Sequence, residues 1–284
     1  MKNFLAIGLL AVLGGLAAAP AQAQTQTQQT VPPAGQPGLA IPAPTAAPSD
    51  EQSYRRETVF GINFNTQAGL IGGVNVRSAR FIDDKLLWFW SLEGVSLKGQ
   101  KEEDYNNGLG SYKRFKSNYA FVLRPSVGIQ RILFRKAADA GVQVNGLLSA
   151  GPSFALLMPY YISYDYTLAS KRGNVVSQND VILDEQYDPT VHDTNYILDR
   201  GPLFSGISRT KVIPGVHLRG GLSFEYGRYR DAVAGAEVGF LLEVFTKHLP
   251  IFNPPASITN LDINALNKQF YPSVYLTLYL GHRN

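Results

Sequence analysis

From Glu57 onward, apolar side chains recur at alternate positions, and that period constrains the fold more tightly than anything else in the sequence. A strand turns successive side chains to opposite faces, so period two marks strands with one oily and one polar side. Ser117–Gln130 shows the pattern clearly. Tyr119, Phe121, Leu123, Pro125, Val127 and Ile129 alternate with Asn118, Ala120, Val122, Arg124, Ser126, Gly128 and Gln130. Eight segments follow the rule: Glu57–Asn65, Gly69–Ala79, Leu86–Lys98, Ser117–Gln130, Gly141–Leu156, Lys211–Tyr226, Asp231–Thr246 and Gln269–Gly281. Period 3.6 fits none of them as well. Each is at least about as long as the 9–11 residues that carry a tilted strand across a bilayer.

Two architectures suit such strands. In a soluble sandwich the oily faces form the core; in a membrane barrel they meet lipid and the polar faces line the lumen. The connections discriminate. Arg80–Lys85, Arg131–Ala140 and Gly227–Arg230 are short, whereas Gly99–Lys116, Leu157–Thr210 and Lys247–Lys268 are long, and the two kinds alternate. Thr66–Ala68 is the one short connection on the long side. This alternation is the layout of an outer-membrane barrel with periplasmic turns and external loops. The expected fold is therefore all-β: an eight-stranded antiparallel up-and-down transmembrane barrel over residues 55–284.

The N-terminal residues fit that destination. Residues 1–23 combine Lys2, an apolar run over Phe4–Leu16 and Ala21-Gln22-Ala23, the pattern of a cleavable secretory signal. Residues 24–54 are rich in Gln and Thr, then in Pro and Ala, with too few bulky apolar side chains to offset the entropy of ordering. They read as a disordered leader, a spacer before the barrel. No later run reaches 18 uninterrupted apolar residues, the length expected of a membrane helix.

The polar faces bring Arg77, Arg124, His217 and Arg219 together with Glu93, Glu225, Glu237 and Glu243. Counting from strand ends puts Glu93 level with Arg124, and Arg219 level with Glu237. An eight-stranded barrel is just wide enough for its side chains to fill it, so these ions are expected to pair and close the lumen. A narrow gated pathway for protons or small ions is the alternative. On the oily faces, Phe60, Phe64, Trp88, Trp90, Tyr119 and Phe121 are expected to face lipid. Phe60, Trp88 and Tyr226 fall near one interface and Phe64, Tyr119 and Phe270 near the other.

Chemistry is thinly represented. The chain has no cysteine, which excludes disulfides and thiol catalysis. G-x-S-x-G, H-E-x-x-H and Cys/His metal spacings are absent, so no catalytic residue, cofactor or metal is expected. His192, Asp193 and Ser208 in the fifth connection are what a lipid hydrolase or acyltransferase would have to use. That connection, Leu157–Thr210, holds six Tyr and seven Asp/Glu. Its carboxylates lack the D-x-[DN]-x-[DN]-G calcium pattern. Its tyrosines suggest mobile loops that contact an envelope protein, a surface glycan or lipid headgroups. The net charge of +4 comes from mixed signs without long basic blocks, which speaks against nucleic acid.

The stretch LRPSVGIQRILFRKAADAGVQVNGLLSAGPSFALLMPYYI resembles sequences of uncharacterised outer-membrane β-barrel proteins, and Glu57–Asn284 as a whole resembles the small eight-stranded Gram-negative type. The resemblance implies fold, outer-membrane lipid around the wall and delivery by the outer-membrane insertion machinery. It brings no binding or catalytic residues. Strands of that type commonly end on an aromatic residue read by the machinery, whereas this one ends Leu280-Gly281-His282-Arg283-Asn284, with Tyr279 the nearest aromatic. The role implied is non-enzymatic: structural, adhesive or assembly-associated. A narrow pore, a lipid-modifying enzyme and a soluble periplasmic barrel with an apolar ligand are the alternatives. Pro125, Pro152, Pro214 and Pro272 lie inside proposed strands, and proline cannot donate to a ladder. The last three lie toward the outer strand ends. Pro125, near mid-strand, finds no explanation at this level.

Overall fold

The computed structural model describes residues 55–68, 72–99, 102–135, 141–171, 181–226, 232–255 and 266–284. The proposed signal and leader lie outside them. Eight long strands close into one antiparallel barrel: β1 (Arg56–Asn65), β2 (Gly73–Asp83), β3 (Leu86–Leu97), β6 (Asn118–Phe134), β7 (Val142–Pro159), β11 (Lys211–Tyr226), β12 (Ala232–Phe245) and β13 (Phe270–Arg283). Each barrel strand pairs with its predecessor and successor among the eight, and β13 returns to β1 to close the wall. The alternation expected from the sequence holds. Even-numbered positions of β1, such as Phe60 and Ile62, point outward, while Val59, Gly61 and Asn63 are buried inside.

Several strand ends differ from expectation. The second strand runs to Asp83 instead of stopping at Ala79, because its ladder with β3 continues down to Asp83↔Leu86 and leaves Asp84 and Lys85 as the turn. The fourth strand extends to Phe134 and the fifth to Pro159. Residues 69–71 of the expected second strand are outside the described ones.

The prolines find places. Pro214 pairs with Phe154 of β7, but the ladder to β12 begins only at Gly215↔Phe245. Pro272 pairs with Leu242 of β12, but the ladder to β1 reaches no further than Tyr275. Both therefore lie where one neighbour has already ended, the position a proline tolerates. Pro125 and Pro152 solve the problem jointly. The β6–β7 ladder is interrupted between Leu123↔Phe154 and Val127↔Ala150 with its register unchanged, which sets the two prolines opposite each other. Gly151 lets the strands stay close there, since a Cβ on it would lie 2.1 Å from the Pro125 carbonyl oxygen.

The described residues of two long connections form further elements. Between β3 and β6 lies a hairpin of β4 (Asp104–Asn106) and β5 (Ser111–Lys113). Between β7 and β11, β8 (Tyr161–Asp165) is the centre of a three-stranded sheet flanked by β9 (Ile182–Gln186) and β10 (Ile197–Arg200). The short helix α1 (Tyr166–Lys171) leads out of β8.

Candidate functional site

The lumen is the natural place for a site, and it is occupied by the protein's own side chains in layers. In the middle, acidic and basic groups alternate in one chain. Glu243 grips Arg124 with both oxygens, 2.8 Å from Nε and 2.7 Å from Nη2. Arg124 Nη1 reaches Glu93 Oε2 at 3.1 Å, and Glu93 Oε1 accepts from Arg219 Nη1 at 3.0 Å. Arg219 in turn donates to Glu237 at 2.9 Å, and Arg77 closes the series on the other oxygen of Glu237 at 2.6 Å. Every anion in this series faces a cation, so burial leaves no net charge uncompensated.

Neutral groups complete the layer. Asn63 donates to Glu93 at 2.6 Å, and Tyr275 donates to Glu237 at 2.8 Å. The Arg219 guanidinium lies 3.8 Å from the Tyr275 ring centre, close enough for cation–π attraction. His217 joins through hydroxyls: its ring nitrogens contact Ser126 at 2.9 Å and Ser153 at 3.0 Å, and Ser153 donates to Glu243 at 2.6 Å.

The two pairs expected from depth, Glu93 with Arg124 and Arg219 with Glu237, are therefore in contact. Glu225, the remaining carboxylate of the expected set, also meets a cation. That carboxylate lies nearer the short-turn rim, where Arg283 binds both it and Glu57. Strand depth separates it from the central layer, and its cation comes from the far end of the chain.

Above the ions the inward positions turn apolar. Val95, Leu97, Ala120, Val122, Ala155, Leu157, Phe245 and Tyr271 line the upper barrel, and Leu249, Ile251 and Phe252 descend onto them from the β12–β13 connection. All of these are buried. The plug is stitched in place by Asn267, whose side-chain oxygen accepts from the backbone N–H of Ile251 and Phe252 and whose amide donates to the Phe252 carbonyl at 2.7 Å. Gly99 leaves room for the Phe252 ring; a Cβ there would overlap it at 1.9 Å. Nothing in the alternating pattern of the sequence announced Leu249, Ile251, Phe252 or Asn267 as lumen residues.

On the outer face, Phe60, Trp88 and Trp90 are exposed, with Phe64 and Phe121 half-buried. Tyr119 departs from expectation. Its ring packs edge-on against Tyr160 at 5.3 Å and carries Lys116 Nζ at 4.4 Å, so it is part of the loop structure above the wall.

Part of the tyrosine-rich connection is interior. Tyr112, Tyr160, Tyr164 and Tyr187 form a buried core with Ile162 and Ile197, knitted by edge-to-face ring contacts. Burial pushes the Tyr164 and Tyr187 hydroxyls above their ordinary range. His192 is enclosed by the same rings, stacked on Tyr187 and edge-on to Tyr164. Its Nε2 contacts Glu185 at 2.8 Å and its Nδ1 lies 3.0 Å from the backbone N–H of Asp188. Asp193 accepts from the Asn195 backbone N–H at the head of a short 3-10 turn, and Ser208 lies in another turn. Hydrogen bonds from Thr190 hold the Asp188 carboxyl below its usual range. The three residues that a hydrolytic reading would need each have local structural partners or positions, and no nucleophile–base contact joins them. No group of three metal-ligating side chains occurs among the described residues.

No family model and no curated protein matches the chain. Among solved structures it is similar to the attachment invasion locus protein Ail of Yersinia pestis, with 10% identity over 81% of this chain and 99% of that one, at a TM-score of 0.36. A major outer membrane protein from Thermus thermophilus is 11% identical over 82% of this chain and 100% of that one, TM-score 0.43. Neisserial surface protein A is 8% identical over 81% and 97%, TM-score 0.36. The chain folds as a closed eight-stranded antiparallel barrel. These likenesses bring no ligand or activity with them.

Proposed function

We propose that the protein is a closed, non-enzymatic outer-membrane barrel that holds a folded platform at the cell surface. The observation that carries this reading is the double closure of the lumen. An alternating ion layer fills its middle and the Leu249–Ile251–Phe252 plug fills its outer mouth. A barrel stoppered twice is built to stand in a membrane and present its loops.

The wall suits lipid, because Phe60, Ile62, Val74, Val127, Val216 and Phe240 all leave large apolar surface outside. Surface contacts with an envelope protein or glycan then fall to exposed loop residues such as Tyr105, Leu109, Ile182 and Val191, since the tyrosines of the platform core are inside it. A structural, adhesive or assembly-associated role follows from such a platform. Two measurements test the proposal together. The chain should fractionate with outer membranes and shift its gel mobility on boiling, and the purified barrel should give no conductance steps in planar bilayers. Recovery in the soluble periplasm, or steady single-channel currents from the wild type, would overturn it.

A further inference from the structure

We propose that the barrel wall carries a specific site for one anionic phospholipid of the periplasmic leaflet, with its phosphate on Arg56 and Arg80 and its acyl chains in a groove above them. The inference rests on the membrane placement just argued.

The groove is a shallow apolar hollow of about 1000 Å³ on the outer wall, lined by Phe60, Ile62, Val74, Leu92, Leu123 and Leu278 among others. It is hollow because two outward positions carry almost no bulk, Gly94 on β3 and Ala234 on β12. A barrel wall held only by bulk lipid has no need of such a recess, whereas an acyl chain gains contact on three sides within it.

Directly below, toward the short-turn rim, Arg56 of β1 and Arg80 of β2 are register partners on the same outward face. Like charges directly opposite each other destabilise a sheet unless an anion lies between them. Arg80 is also the register partner of Trp88, and Arg131 lies one strand further on beside Leu86. Arg56, Arg80 and Arg131 are all exposed, and no carboxylate lies within ion-pairing distance of them among the described residues; Asp83 at the end of β2 and Asp84 in the turn do not pair with them. Arg56 does keep one bond, from Nε to Ser78 Oγ at 3.1 Å, which leaves its remaining guanidinium N–H groups for a phosphate.

Among the described residues, the matching outward positions near this rim on the other strands are Val142, Tyr226, Ala232 and His282, with no Arg or Lys among them. Among the described residues, the outward arginines of the strands near this rim thus lie on β1, β2 and β6, all of which also line the groove. Arg56 is four residues below Phe60, roughly 13 Å along the strand, the separation expected between a headgroup phosphate and the upper part of its acyl chains.

The test is native mass spectrometry of the full-length protein in detergent, titrated separately with phosphatidylglycerol and phosphatidylcholine. The wild type should retain one phosphatidylglycerol in clear preference to phosphatidylcholine. Arg56→Gln/Arg80→Gln should weaken phosphatidylglycerol roughly 30-fold, at about fivefold per arginine. Arg80→Gln alone should show the single fivefold step, and serves if the double variant does not fold. Ile62→Trp, which fills the groove, should weaken both lipids. Equal retention of the two lipids by the wild type, or undiminished phosphatidylglycerol binding by the arginine variants, would overturn the site. So would preferential displacement of phosphatidylglycerol by lipid A, which belongs to the opposite leaflet. A wild-type protein that stays monomeric in water without detergent would overturn the membrane placement itself, and the site with it.

Discussion

Pro125 on β6 stands directly across from Pro152 on β7, in a mid-barrel stretch where the ladder is broken but its register is kept. The register pairs missing there are those of positions 124 to 126, the pattern left when the two bonds exchanged by one antiparallel pair cannot form. Neither residue has an N–H to strand, so the cost falls on two carbonyls instead of four groups. Placing both prolines in one pair confines the damage to a single rung.

That geometry makes Pro152→Val a stabilising change. The new N–H faces the Pro125 carbonyl and restores one ladder bond, worth about 1 kcal/mol. Unfolding in urea should shift to higher denaturant, and the amide at position 152 should exchange slowly with deuterium. A midpoint unmoved or lowered would mean that the strands cannot close over the rung.

Glu93 is the hinge of the central ion layer, because Arg124, Arg219 and Asn63 all donate to it. Glu93→Ala should cost about 3–5 kcal/mol, since it leaves two buried guanidinium groups short of charge. Its effect should combine non-additively with Glu243→Ala, which shares Arg124, and additively with Glu225→Ala, which belongs to the Arg283 cluster. Double-mutant cycles in denaturant read this directly, and strong coupling of Glu93 to Glu225 would contradict the division into two clusters.

The outer plug and the ion layer should act as seals in series. Asn267→Ala removes the bonds that hold Ile251 and Phe252 in place, and Phe252→Ala removes a buried ring, so each should lower stability by several kcal/mol, about 3–5 for the ring. Neither alone should produce current. Phe252→Ala combined with Glu93→Ala should give measurable conductance steps in planar bilayers. Conduction by Phe252→Ala alone would show that the ions are no barrier.

The platform should loosen in alkali. Burial raises the Tyr164 and Tyr187 hydroxyls, so the folded state keeps protons that the unfolded chain loses above pH of about 10. The folded form then binds more protons than the unfolded form, and stability present below that pH is lost as pH climbs through the raised values. Tyrosinate absorbance should rise late and cooperatively, together with loss of the near-ultraviolet signal of the ring cluster. A simple titration centred at the ordinary tyrosine value would place those rings in water.

Local pattern made the wall readable, and distance hid the rest. Period two is a property of neighbours, so Phe60, Trp88 and Arg124 could be assigned to faces without knowing what they touch. Adjacent strands then bring Glu93 beside Arg124 by counting alone. Arg283 meets Glu57 only because the last strand closes on the first, and Leu249 and Phe252 meet the lumen only because a loop bends inward. Tyr160, Tyr164 and Tyr187 stayed hidden for the same reason: a tyrosine-rich loop looks like a contact surface until short strands such as β8 and β9 give it an interior.

The plug lies in the connection between β12 and β13, and β13 is also the strand that meets β1. One hairpin thus both completes the circle and corks it. During folding the cylinder has an open seam until that hairpin arrives, and once the seam is shut the mouth is shut with it. A round but open-mouthed intermediate has no place in such a sequence of events.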